Sequence, residues 1–70
     1  MNIILNGQPF TVPDGATIAS LIAMRSASGH IKTTAYAVER NKELIPRPAH
    51  ESTPLRPNDQ IEVVVLVGGG

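Results

Sequence analysis

The sequence predicts an α+β domain: one helix packed across one face of a mixed four- to five-stranded sheet. Three observations carry this. An apolar segment runs into Asn6-Gly7 and resumes at Phe10, the pattern of a hairpin. One stretch of helical periodicity follows a Thr17 cap. The most β-prone segment, Ile61 to Leu66, closes the pattern.

The elements follow in order. Ile3, Ile4 and Leu5 lead into Asn6-Gly7, the dipeptide that best accepts the positive φ angles of a tight turn. Phe10, Thr11 and Val12 form the return strand, and Pro9 at its start suits an edge, because proline gives a ladder no donor. Pro13-Asp14-Gly15 interrupts the strand. Ile18, Leu21, Ile22 and Arg25 then recur at helical spacing, with Met24 read as helix packing and Gly29 as a left-handed cap. A strand is expected over Ala35 to Arg40, a turn at Asn41-Lys42 and a short strand over Glu43-Leu44-Ile45. Pro46, Pro48, Pro54 and Pro57 allow at most a single helical turn before the final strand.

The first and last strands are the most apolar, which makes them the natural central pair, running parallel. That is the β-grasp, or ubiquitin-like, arrangement. Its expected core is Ile3, Leu5, Phe10, Val12, Ile18, Leu21, Ile22, Leu55, Ile61, Val63 and Val65. The division is a domain over 1–66 and a glycine tail over 67–70.

Composition narrows the function. Seventy residues support one thin core and little room for an enclosed catalytic cleft. Six Lys/Arg balance six Asp/Glu, with one Phe, one Tyr and no Trp, so neither a phosphate-binding face nor a base-stacking platform is expected. The absence of cysteine excludes disulfides, thiolate nucleophiles and cysteine zinc sites. No signal peptide or membrane span is read, and a cytoplasmic location is expected. His30 and His50 lack the acidic company of a metal site and read as surface or half-buried side chains. Glu39-Arg40 and Glu43 near Arg47 could form a docking surface, but solvated strand-edge charges are the favoured reading, and of Arg56, Asp59 and Glu62 near the final strand no single one stands out.

The tail is the candidate site. Val67 to Gly70 reach at most about 13–14 Å when extended. Gly68 and Gly69 carry no side chain, so the segment could thread a narrow tunnel and present the Gly70 carboxylate to a partner. A frayed terminus has the same composition. Docking would need an apolar surface nearby. If Ile61, Val63 and Val65 point inward, Val64 and Leu66 point outward beside Ile4, and Val67 continues toward the tail.

Several stretches together resemble the sulfur carrier family of thiamin biosynthesis. They are Ile3-Ile4-Leu5-Asn6-Gly7, Ala37-Val38-Glu39-Arg40-Asn41, Leu44-Ile45-Pro46-Arg47, Thr53-Pro54-Leu55, Asp59-Gln60-Ile61-Glu62 and Val67-Gly68-Gly69-Gly70. The resemblance implies a carrier, not an enzyme. A ubiquitin-activating-type adenylyltransferase would use Mg-ATP to adenylate the Gly70 carboxylate, and no cofactor would bind this chain. Sulfur supplied through a cysteine desulfurase would displace the nucleotide, leaving a thiocarboxylate for thiazole synthase. His50 stands where relatives often carry a bulky aromatic, which implies looser or more polar packing. The alternatives are the small subunit of molybdopterin synthase, a carrier for tRNA thiolation or cysteine synthesis, and a non-catalytic ubiquitin-like binding module.

Overall fold

The computed structural model describes residues 1–66. Five strands and one α-helix follow the expected order: β1 Asn2–Leu5, β2 Gln8–Thr11, α1 Ile18–Ala27, β3 Tyr36–Arg40, β4 Glu43–Ile45 and β5 Gln60–Val65. The sheet order is β2-β1-β5-β3-β4. β1 and β5 pair in parallel, and the remaining neighbours pair antiparallel. The expected parallel pairing of the first and last strands is therefore what the structure shows.

Local chemistry accounts for the connections. Asn6 and Gly7 take φ values of 49° and 79°, and Asn41 and Lys42 take 52° and 70°. Positive φ at both central residues matches the right-handed twist of the flanking strands, which is why each pair closes a hairpin. Pro9 lies in the edge strand β2, where its missing donor costs no ladder bond. The prolines after β4 allow only the 3₁₀ turn Arg47–Ala49.

Helix α1 is capped at both ends. Thr17 Oγ1 accepts from the Ser20 amide at 3.2 Å, and Ser20 Oγ accepts from the Thr17 amide at 2.9 Å. Two of the helix's orphan donors are thus satisfied reciprocally. At the other end the His30 amide reaches Arg25 O at 2.9 Å and the Gly29 amide reaches Ser26 O at 3.1 Å. With Gly29 at φ +79°, this is a Schellman turn, and it stops the helix abruptly. Thr17→Ala should cost about 1 kcal/mol. A thermal melt should record that as a drop of about 4–8 °C in a domain of this size.

The core lies between α1 and one sheet face. It contains Ile3, Leu5, Val12, Ala16, Ile18, Leu21, Ile22, Ile31, Val38, Leu55 and Ile61, with Phe10 and Val63 packed half-buried against it. Ala16, Ile31 and Val38 were not among the residues expected there. Val65 is a correction: it was expected in the core but is 47% exposed. It lies on the same face as Val63, but α1 has already ended at Ala27, so no helix covers it. Met24 also departs from its reading as helix packing, since its side chain is exposed.

Candidate functional site

The face of the sheet opposite α1 carries the residues expected to dock a partner. Ile4 pairs in register with Gln60, Glu39 with Glu62, and Ala37 with Val64. Residues in register share a face. Ile4, Gln60, Glu62, Val64, Ala37, Glu39 and, through its pairing with Glu39, Leu44 therefore line one surface. Val64 is 43% exposed and Leu66 54%, while Ile4 is half-buried and lines a groove of about 210 Å³. Asn6, Gly7, Glu39, Lys42, Gln60, Ile61 and Glu62 line the rest of it. The structure thus gathers Ile4 and Val64 on one exposed face, with Leu66 exposed just beyond the strand. Val67, Gly68, Gly69 and Gly70 lie outside the described residues.

The face is not purely apolar. Glu39 and Glu62 stand directly opposite each other in the antiparallel β3–β5 pair. Like charges at this spacing repel, and among the described residues no cation lies within ion-pair distance of either. The sequence allows Glu39 a docking role but favours a solvated strand-edge charge at that position, and it singles out neither Glu62 nor Leu44. Their strands were legible there, but the register that brings the glutamates together was not.

The strand that leads to the tail is held by side chains as well as by the ladder. Asn6 Oδ1 accepts the Val63 amide at 2.8 Å, taking the place of a backbone carbonyl after β1 has turned away. On the opposite edge Asn41 Oδ1 accepts the Gln60 amide at 2.9 Å. Asp59 closes the preceding turn by accepting from the Arg56 amide at 2.9 Å. The Leu66 amide donates to Ala35 O at 2.9 Å, so the pairing with the β3 side continues up to the last described residue.

Arg47 supports that end of the sheet. Its guanidinium donates to Thr34 O at 2.8 Å and Tyr36 O at 3.1 Å and lies 4.2 Å from the Tyr36 ring centroid. The planar fork can make both hydrogen bonds while stacking on the ring. It holds the backbone on either side of Ala35, the residue that accepts from Leu66.

His50 is 6% exposed, its Nε2 is 3.0 Å from Ile45 O, and its ring stacks on Tyr36 with a centroid separation of 6.4 Å. His50 is therefore buried and not at the surface or half-buried as expected, and its packing is polar but close. His30 is exposed, with Nδ1 2.8 Å from Ser28 Oγ. Among the described residues no three His, Asp or Glu side chains converge as a metal ion would require. Among those residues, too, no helix is long and apolar enough to cross a membrane.

Comparison with known proteins places this architecture. The family model described as the ThiS family matches residues 3–70. The chain belongs to the ThiS family. The family comprises small sulfur carriers of thiamine biosynthesis. A crystal structure of the thiamine biosynthesis protein ThiS from Geobacter metallireducens superposes with a TM-score of 0.77 at 29% identity, covering 100% of both chains. A solution structure of a thiamine biosynthesis protein from the same organism gives 0.70 at 29% identity, covering 100% of this chain and 88% of the other. Over 70 residues the chain is 40% identical to a thiazole synthase from Magnetococcus marinus and 26% identical to one from Paramagnetospirillum magneticum. It spans 20% of the length of each of these synthases. These similarities establish the family and its β-grasp fold.

Proposed function

We propose that this ThiS-family chain carries sulfur as a thiocarboxylate on Gly70 and delivers it for formation of the thiamin thiazole ring. The observation that most favours this reading is the outer face of β5. An exposed apolar and acidic surface stands immediately before a segment that ends Gly68-Gly69-Gly70. Similarity of the whole chain to part of two thiazole synthases supports that enzyme as the sulfur acceptor. In this reading a ubiquitin-activating-type adenylyltransferase binds Mg-ATP, and this chain supplies only the acyl group.

The chemistry balances without any cysteine on the carrier. The Gly70 carboxylate attacks the α-phosphate of ATP, forming an acyl phosphate bond and releasing pyrophosphate. A persulfide sulfur, supplied through a cysteine desulfurase, then attacks the acyl carbon and expels AMP. This leaves an acyl disulfide, which two electrons from a thiol reductant cleave to the thiocarboxylate. Adenylation is needed because a free carboxylate offers a nucleophile no good leaving group.

Intact mass after incubation with the adenylyltransferase, ATP and a sulfur source tests the reading. The expected product has one oxygen replaced by sulfur, and its absence would reject the carrier role. Docking is tested separately by Val64→Asp. Val64 is already exposed, so the fold should persist. A charge set into the apolar patch beside Glu62 should weaken capture by the adenylyltransferase roughly tenfold. Rates measured against carrier concentration should show this as a raised KM with kcat little changed.

A further inference from the structure

Among the described residues, one edge of β5 is unpaired near its C-terminal end. Alternate residues of a strand direct their backbone groups to opposite edges. Asp59 O accepts from the Ile4 amide, Ile61 O from the Asn6 amide, and the Val63 amide donates to Asn6 Oδ1. Residues 59, 61 and 63 therefore face β1, and Val65 does so by the same alternation. β1 ends at Leu5, and its register with β5 stops at Ile61. Among the described residues, nothing pairs with Val63 O, Val65 N–H or Val65 O.

Beside this edge lies a notch of about 60 Å³, lined by Leu5, Asn6, Arg25, His30, Ile31, Val63 and Val65. Ligand pockets occupy roughly 300–1,000 Å³, so the notch is far too small for a drug-sized molecule. It is the size of a side chain. The notch also accounts for the exposure of Val65, whose apolar side faces space and not helix. Arg25 lies 5.0 Å from the Phe10 ring centroid. Among the described residues, no carboxylate lies within ion-pair distance of it.

We infer that the β5 edge at Val63–Val65 receives an extended, acidic segment of the adenylyltransferase, which adds a strand beside the root of the tail. This rests on the proposed function and specifies how its partner holds the chain. The backbone of the added segment supplies a donor for Val65 O and an acceptor for Val65 N–H. One of its side chains fills the notch against Val63 and Val65, and a carboxylate meets Arg25. The same edge of a second copy fits less well, because symmetry would bring Arg25 and His30 of both chains together.

The test uses the intact chain and the adenylyltransferase. In the free chain the Val65 amide should exchange with solvent rapidly, and in the complex NMR should show it protected. Val65→Pro removes this donor at a position where the structure uses no hydrogen bond, so a thermal melt should change little. The substitution should weaken binding roughly tenfold. Val65→Thr keeps the donor and should bind nearly as the parent does. Arg25→Glu should weaken binding, and the loss should shrink at high salt.

Normal thiocarboxylate formation with an unprotected Val65 amide in the complex would overturn the inference and leave the carrier role intact. A parent chain that neither binds nor acquires sulfur would overturn both. If sedimentation shows a dimer of the free chain that Val65→Pro dissociates, the edge belongs to a second copy and the inference fails.

Discussion

Deleting Gly70, or adding one residue after it, should abolish thiocarboxylate formation while leaving the fold unchanged. On the proposed function, the reacting carbonyl must arrive at the adenylyltransferase's nucleotide with its position already fixed by docking of the domain. One residue of extended chain spans about 3.3–3.6 Å. A shift of even 1 Å can cost a hundredfold in rate, so misplacement by a residue should reduce sulfur incorporation below detection. Replacing Gly70 by alanine is milder, because the length is kept and only a methyl group is added. Intact-mass time courses on the deletion, the extension and Gly70→Ala should rank the alanine variant well above the other two. Equal sulfur incorporation in all of them would reject Gly70 as the acceptor. Circular dichroism should be the same for all, since residues 1–66 form the entire described sheet, helix and core.

The fold was legible where a few adjacent residues determine the backbone. Asn6-Gly7, Thr17, Gly29 and the prolines after Ile45 each restrict φ or supply a cap, and the chain turns, starts or stops where they stand. The parallel pairing of β1 and β5 was legible for another reason. Two strongly apolar strands favour the center of a half-covered sheet, and the structure places them as neighbours there.

Features spanning long separations were not legible. Asn6 reads as a turn residue, yet its side chain also binds the Val63 amide 57 positions away. Arg47 reads as an edge charge, yet it is committed to two backbone carbonyls and an aromatic ring. Val65 satisfies every local rule for a core strand residue. Its exposure depends on the Schellman turn that ends α1, a feature of another element. Val38 erred in the opposite direction: Glu39 and Arg40 mask its strand's apolar character, but β3 is flanked on both sides and its inward residue is fully covered. For the site, the alternation that exposes Val64 and Leu66 could be read from the sequence, while the Glu39–Glu62 register and the open edge required the sheet.

A second expected result concerns the core that presents this face. Leu21→Ala should leave most of the protein unfolded. Leu21 is fully buried in α1, among the residues that join the helix to the sheet. Truncating a buried leucine to alanine typically costs about 2–5 kcal/mol, more where surrounding side chains cannot close over the cavity. A core in a chain below about 70–80 residues rarely supplies more than about 3–5 kcal/mol in total. Leu21→Ala removes a comparable amount, and no cysteine is present to cross-link the chain. Denaturant titration should show a greatly reduced or vanished folded baseline. Sulfur incorporation should fall as well, but for a different reason from Gly70 deletion. On the proposed function the acyl group remains in place, while the surface that would bring it to the enzyme is folded only part of the time. Adding enzyme in excess should restore the Leu21→Ala product in part, because binding draws the chain toward the folded state. It should restore none of the product of Gly70 deletion. That difference in rescue separates loss of the platform from loss of the reacting residue.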